Sequence, residues 1–153
     1  MSERTDGPFL LDVMCGKLAT MLRFCGYDAA YARDRGVQDD DALLELSCTE
    51  NRTLVTRDVA LADRTDDAIS LTERDTDDQL RELAAEGVDI SLDPEPDHCG
   101  DCNGPVESVE PGEPTPDYAP STEAFDIWRC RECGQHFWKG SHWTAVRDRL
   151  ARI

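Results

Sequence analysis

Apolar and polar positions alternate with changing period along the first 92 residues. Phe9, Leu10 and Leu11 form an apolar run closed by Asp12, and residues 9–13 read as a strand. From Lys17 to Cys25 the apolar positions Leu18, Leu22 and Cys25 follow helical spacing, and Gly26 is a natural stop. Tyr27, Ala29 and Tyr31 fall on one face of a second short strand. Asp39 or a neighbour caps a helix in which Leu43, Leu44 and Leu46 point inward, with Asn51 as terminator. RTLVTRD, residues 52–58, reads as a third strand ending at an aspartate, and a short helix follows through Ala60 to Arg64. AISLT, 68–72, is a fourth strand. DTDDQLRELAAEG, 75–87, is the clearest helix, with an acidic first turn, Leu80 and Leu83 inward and Gly87 at its end. VDISL, 88–92, adds a last strand. This alternation with short links predicts an α/β fold, a parallel sheet carrying helices on its faces.

After Leu92 the character changes. DPEPDH reads as a linker, and residues 105–120 hold no periodicity and read as a long mobile loop. The last stretch, from Phe125, turns aromatic and basic and closes with a short helix.

Two C-x2-C pairs, Cys99 with Cys102 and Cys130 with Cys133, stand 27 residues apart. Each pair can present two thiolates on one tight turn, and together they complete a tetrahedral zinc site. With all four positions filled by protein, the zinc is structural. Gly104 and Gly134 follow the pairs as knuckle turns require. The competing reading, two redox dithiols, calls for a helix start inside a βαβ unit, where neither pair sits. Cys15, Cys25 and Cys48 stand alone, so the cysteine pattern suits a reducing cytosol rather than a secreted disulfide framework. His98, His136 and His142 lie near the quartet; with four cysteines available they read as surface or substrate-contacting residues, His142 foremost.

Charge sharpens the picture. The 153 residues carry a net charge of −17, and lysine is nearly absent, with Lys17 and Lys139 against fourteen arginines. An acidic, lysine-poor surface suits a halophilic protein in a salt-rich cytoplasm, because the Debye length falls to about 3 Å at 1 M salt. High charge also marks disordered chains, but 39% hydrophobic residues and clear periodic segments argue for a folded one. No apolar run reaches the roughly 20 residues of a membrane helix, and the polar N-terminus lacks a signal-peptide core. The expectation is a soluble cytoplasmic protein with no membrane association. Taken alone, the charge also argues against nucleic-acid binding.

In a parallel sheet, the ends of strands and the starts of the following helices gather along one edge. Asp12 and Asp58 end the first and third strands, and Asp39 to Asp41 open the second helix, so three acidic groups converge on one rim. Such carboxylates either hold Mg²⁺ or Mn²⁺, which favour oxygen ligands, or simply cap helices. A metal held there can orient a water toward a phosphodiester.

The order FLLDVMCGKLATMLRFCGYD, then DDALLELS, then RTLVTRD, then two C-x2-C knuckles ending CGQHFWKGSHW, resembles the mut-seven C-terminal RNase domain family. The resemblance covers nearly the whole chain. It implies a PIN-like parallel sheet with helices on both faces, residues 1–94, followed by a four-cysteine zinc ribbon, residues 95–153, and a metal-dependent ribonuclease activity. By motif, Asp12, Asp40 and Asp58 are the implied ligands of a catalytic Mg²⁺ or Mn²⁺, and Lys17, Arg23 and Arg57 the implied phosphate contacts. The sequence departs from the pattern at Cys15, where a larger apolar residue is expected, and Asp39 and Asp41 leave the choice within their run open.

From Arg129 to the end, five arginines and one lysine face only Glu132 and Asp148, a formal excess of +4, interleaved with Trp128, Phe137, Trp138 and Trp143. Cations among aromatic faces suit single-stranded RNA, with Trp138 and His142 as candidate contacts, although these rings can equally form the ribbon's own small core. Two other functions are compatible with the sequence: a non-catalytic nucleic-acid or protein-binding adaptor, and a toxin-type RNase paired with an antitoxin.

Overall fold

Phe9, Leu10 and Leu11 are fully buried because β1 (Phe9–Leu11) lies inside a four-stranded parallel sheet. The computed structural model describes residues 6–153. The sheet order is β2-β1-β3-β4, with β2 at Ala29–Tyr31, β3 at Thr53–Thr56 and β4 at Ala68–Ser70. The pairing register sets Leu10 between Ala30 and Leu54. Alternate side chains therefore build two cores. Phe9, Leu11, Ala29, Val55 and Ile69 meet α1 (Gly16–Phe24) and α4 (Thr76–Ala85) through Leu18, Leu22, Leu80 and Leu83. Leu10, Ala30 and Leu54 meet α2 (Asp40–Thr49) and α3 (Val59–Ala62) through Leu43 and Leu61. Helices thus cover both faces, and Asn51, at φ 53, closes α2.

The expected fifth strand is absent: residues 88–92 form none. Its V-D-I-S-L alternation is real, because Val88 is buried in the first core and Ile90 and Leu92 pack against it. The segment's backbone, however, is bonded elsewhere. The Tyr27 hydroxyl donates to the Asp89 carbonyl at 2.9 Å, and the Asp93 N–H donates to the Phe24 carbonyl at 3.0 Å.

Beyond it, β5 (Val106–Ser108), β6 (Ile127–Cys130) and β7 (His136–Trp138) form a second, antiparallel sheet in that order. β5 lies within the stretch expected to be a structureless loop, and the rest of that loop is tied down. Gly112 N–H donates to Thr122 Oγ1 at 2.8 Å, and the Tyr118 hydroxyl accepts from the His136 N–H at 3.1 Å. The chain closes with α5 (Ser141–Ala151), whose Val146 and Leu150 enter the first core beside α1 and α4. The C-terminal helix is therefore part of the cover of the N-terminal sheet.

A helix that follows a parallel strand runs back along it, so α1, α2 and α4 begin at the carboxyl edge of the sheet and end at its amino edge. The cysteine region is bound to the amino edge. Asn103 donates to Asp28 at 2.7 Å and accepts from the Ala29 N–H at 2.9 Å. Arg52, buried before β3, reaches the same Asp28 at 2.7 Å and Glu50 at 2.7 Å.

Arg23, expected to meet phosphate, is instead 4% exposed inside this junction. Its Nε donates to the Ala29 carbonyl and its Nη1 to the Gly100 carbonyl, both at 2.9 Å. Burial lowers its pKa, opposed by Asp34 and by Cys99 and Cys102. A zinc ion with four thiolates carries a formal charge of −2, a fitting neighbour for a buried guanidinium. Arg23→Met is expected to cost about 3 kcal/mol, because two carbonyls lose a charged donor. The thermal midpoint should fall by about 6–12 °C, read by calorimetry of the zinc-loaded protein.

Candidate active site and zinc centre

The four cysteine sulfurs of Cys99, Cys102, Cys130 and Cys133 all lie within 4.8 Å of one another. A tetrahedron with Zn–S bonds of about 2.3 Å places its sulfurs about 3.8 Å apart. The closest pairs, Cys99 with Cys133 at 3.6 Å and Cys102 with Cys130 at 3.5 Å, match that edge. Backbone donors support the sulfurs: Cys130 Sγ accepts from the N–H groups of Glu132 and Cys133, and Cys102 Sγ from that of Gly104, each at 3.4 Å. The left-handed positions of the two turns are Asn103, at φ 69, and Gly134, at φ 81. Gly104 is needed for a different reason: a Cβ there would come within 3.0 Å of Cys130 Sγ.

Without a cation two of the four thiols, Cys99 and Cys102, resist ionisation. Burial pushes the Cys99 thiol well up and Cys102 to about 11. Burial also opposes ionisation at Cys130, but backbone N–H groups and neighbouring thiols outweigh it and bring that thiol to about 7. Cys99, Cys102, Cys130 and Cys133 would hold a zinc ion, whose positive charge would favour the thiolate form of its ligands. The donor set and its spacing fit the metal.

The carboxyl edge presents the aspartates. Asp12 directly follows β1 and is 5% exposed. Its Oδ1 accepts from the Val13 N–H and its Oδ2 from the Thr56 hydroxyl, both at 2.7 Å. Thr56 Oγ1 in turn accepts from the Asp58 N–H at 3.0 Å, so one hydroxyl ties both aspartates to adjacent strand ends. Asp58 also caps α3, accepting from the Leu61 N–H at 3.1 Å.

The acidic run is sorted by its partners. Asp39 caps α2 through the Ala42 N–H at 2.8 Å, and Asp41 pairs with Arg64. Asp40 starts the helix at the same edge, and its carboxylate enters no hydrogen bond or ion pair among the described residues. Among the described residues, only the cysteine quartet brings three or more ligand atoms within reach of one ion.

A family model described as Mut7-C RNAse domain matches residues 8–150. The chain belongs to the Mut7-C RNAse domain family. No curated protein and no solved structure matches it. This Mut7-C RNAse domain therefore combines a carboxyl-edge acidic rim with a cysteine site at the opposite edge of the sheet.

The remaining candidate residues divide between those edges. Lys17 is exposed in the first turn of α1, beside the rim. Arg57 follows β3; its Nη1 approaches only the Met14 sulfur, at 3.9 Å, and its buried Nε has no hydrogen-bond partner among the described residues. Cys15 is buried behind Asp12, and burial, reinforced by Asp12 and opposed by Arg57, raises its thiol to about 11. Its side chain packs in the first core of this Mut7-C chain. Trp138 and His142 belong to the other edge, with the ribbon and α5.

Sequence reading missed Thr56, although a polar residue inside a buried, β-branched strand was its signal. It also missed Asn103, whose place directly after a knuckle cysteine marked it for a left-handed turn. The local excess of positive charge is largely cancelled. Arg129 pairs with Glu107 and Glu113, Arg131 shares Glu107, and Arg149 pairs with Asp77, three carboxylates from outside the tail.

Proposed function

We propose that the protein is a ribonuclease that hydrolyses RNA phosphodiesters with Mg²⁺ or Mn²⁺ at the carboxyl-edge rim, its zinc ribbon serving as a structural prop. The observation that carries this reading is Asp12, a nearly buried carboxylate fixed at a strand end by Thr56 and Val13 in a chain of an RNase-domain family. The donor set of Asp12 and Asp58 is all oxygen, which suits a hard cation. Mg²⁺ needs only one or two carboxylates because it keeps waters and takes substrate phosphate. Asp40, whose carboxylate makes no hydrogen bond or ion pair among the described residues, is the third candidate ligand. When bound, the ion supplies water activation and neutralises charge building on the phosphate.

The chain's own residues position and neutralise. The Thr56 hydroxyl points its proton at Asp12 and holds the Asp58 backbone, so both carboxylates keep one orientation. Arg57 and Lys17, neither paired with a carboxylate among the described residues, are placed to meet phosphate. Thr56→Val removes both contacts at nearly constant volume. Cleavage should fall about 10- to 100-fold, whereas Thr56→Ser should retain most of it, as initial rates on labelled RNA will report. Four free cysteines gathered for one metal suit a reducing compartment such as the cytoplasm.

The deciding experiment incubates zinc-loaded protein with single-stranded RNA, with and without Mn²⁺ or Mg²⁺, beside an Asp12→Asn, Asp58→Asn double variant. Metal-dependent cleavage that the double variant lacks is the expected result. No cleavage by the unaltered protein across metals and salts would favour a non-catalytic adaptor, the reading that fits a rim with no tight three-ligand cluster among the described residues.

A further inference from the structure

The chain has three histidines, and all three, His98, His136 and His142, line one cavity of about 260 Å³. It lies between the end of α1, the ribbon and the start of α5, at the amino edge and away from the acidic rim. Phe24, Trp138 and Trp143 give it aromatic walls. The His142 ring meets Phe24 edge-on, with centroids 6.0 Å apart. Trp138 owes its position to Gly140, where a Cβ would come within 2.6 Å of the indole Nε1. Tyr118 packs on the same indole with centroids 6.2 Å apart. His136 Nδ1 donates to the Gly134 carbonyl at 2.9 Å, which fixes the ring at the cavity wall.

The surroundings offer little to a phosphate. Four of the five arginines after residue 128 are paired with carboxylates, and the whole chain carries −17. Lys139 sits 5.4 Å from the centre of the Trp143 ring and has no carboxylate partner among the described residues. A polyanion is therefore not held here mainly by its charge. A flat, apolar face with polar edges is the chemistry the cavity fits, because aromatic rings stack on bases whatever their backbone.

We infer that this cavity takes one unstacked nucleobase of single-stranded RNA, held by stacking on Trp138 and Trp143 with Lys139 as the main phosphate contact. The inference rests on the RNA-processing reading for the identity of its ligand, and it adds an anchor remote from the site of cleavage. Binding of this kind has an unusual salt signature. For single strands, log K falls by about 0.7 per neutralised phosphate for each unit of log salt. One or two contacts predict a slope of about −1.

The test titrates zinc-loaded protein, without added Mg²⁺ or Mn²⁺, with a short single-stranded oligoadenylate. Tryptophan fluorescence and RNA anisotropy are followed over a range of KCl concentrations. Quenching with a slope near −1 is expected. Ser141→Phe, which fills the cavity from the exposed first residue of α5, should weaken binding at least about tenfold while the protein stays folded and zinc-loaded. Trp143→Ala, losing a stacking face, should do the same. Unchanged affinity in either folded variant, or a slope steeper than about −3, would overturn the inference. Cleavage by the unaltered protein with Mn²⁺ is scored separately. Cavity-dependent binding without cleavage sinks only the nuclease reading, and cleavage with cavity-independent binding sinks only the anchor.

Discussion

Stripping zinc from the cysteine site should lower the thermal midpoint by about 10 °C or more. The ribbon is bonded to the amino edge of the sheet through residues inside the first knuckle. Gly100 accepts from Arg23, and Asn103 bonds to both Asp28 and Ala29. If the knuckle loosens, these three contacts go together, two of them to charged groups. At about 1–3 kcal/mol each, the three together amount to about 3–9 kcal/mol, and a chain of this length loses about 2–4 °C per kcal/mol. Binding free energies of structural zinc, about 10–16 kcal/mol in small fingers, allow a larger fall. Cys130→Ser should act like chelation, because that sulfur accepts two backbone N–H groups and stands against Gly104. Calorimetry before chelation, after it and after zinc is restored will measure the effect. A midpoint indifferent to zinc would remove the ion from any account of this fold.

The two rim aspartates should respond differently to the same substitution. Asp12→Asn is expected to reduce RNA cleavage at least about 100-fold, through loss of a negative ligand at the reaction centre. It should also destabilise the protein by about 1–2 kcal/mol. The reason is geometric: both Asp12 oxygens accept from donors, Val13 N–H and Thr56 O–H, and an amide must turn its NH₂ toward one of them. Asp58→Asn should cost activity on a similar scale but almost no stability, because asparagine caps a helix as well as aspartate does. Parallel measurement of initial rates and unfolding midpoints separates the cases. Equal stability loss in both variants would contradict the hydrogen-bonding assigned to Asp12.

The sheet was legible because its signals are local. Apolar runs ended by aspartates, helix caps and glycine stops each bear on a few neighbouring residues, and β1 to β4 and α1 to α4 lie where those signals put them. The segment 88–92 was misread because its alternation satisfies a core as well as a sheet, and periodicity cannot tell which partner the backbone takes. Arg23 was misread for a related reason. Its carbonyl partner Gly100 lies 77 residues away, and no local pattern distinguishes a buried arginine from one at the surface. The cysteine quartet was legible from spacing alone, since tetrahedral ligation constrains spacing. Its location at the edge opposite Asp12 was not, because that depends on Asn103 finding Asp28. The charge of the tail misled in the same way: counting arginines cannot show that Glu107 and Asp77 are waiting for them.

The placement of α5 has a consequence for the order of events during synthesis. Val146 and Leu150 help cover the face of the sheet built from Phe9, Leu11 and Val55, yet a ribosome adds them only after β4 and the whole cysteine region have been made. Until then, a nascent chain holding all four parallel strands carries an apolar groove along α1 and α4 with nothing over it. Domains tend to fold as they emerge, so the N-terminal sheet must wait, partly uncovered and open to chaperones, for a helix made after the second sheet.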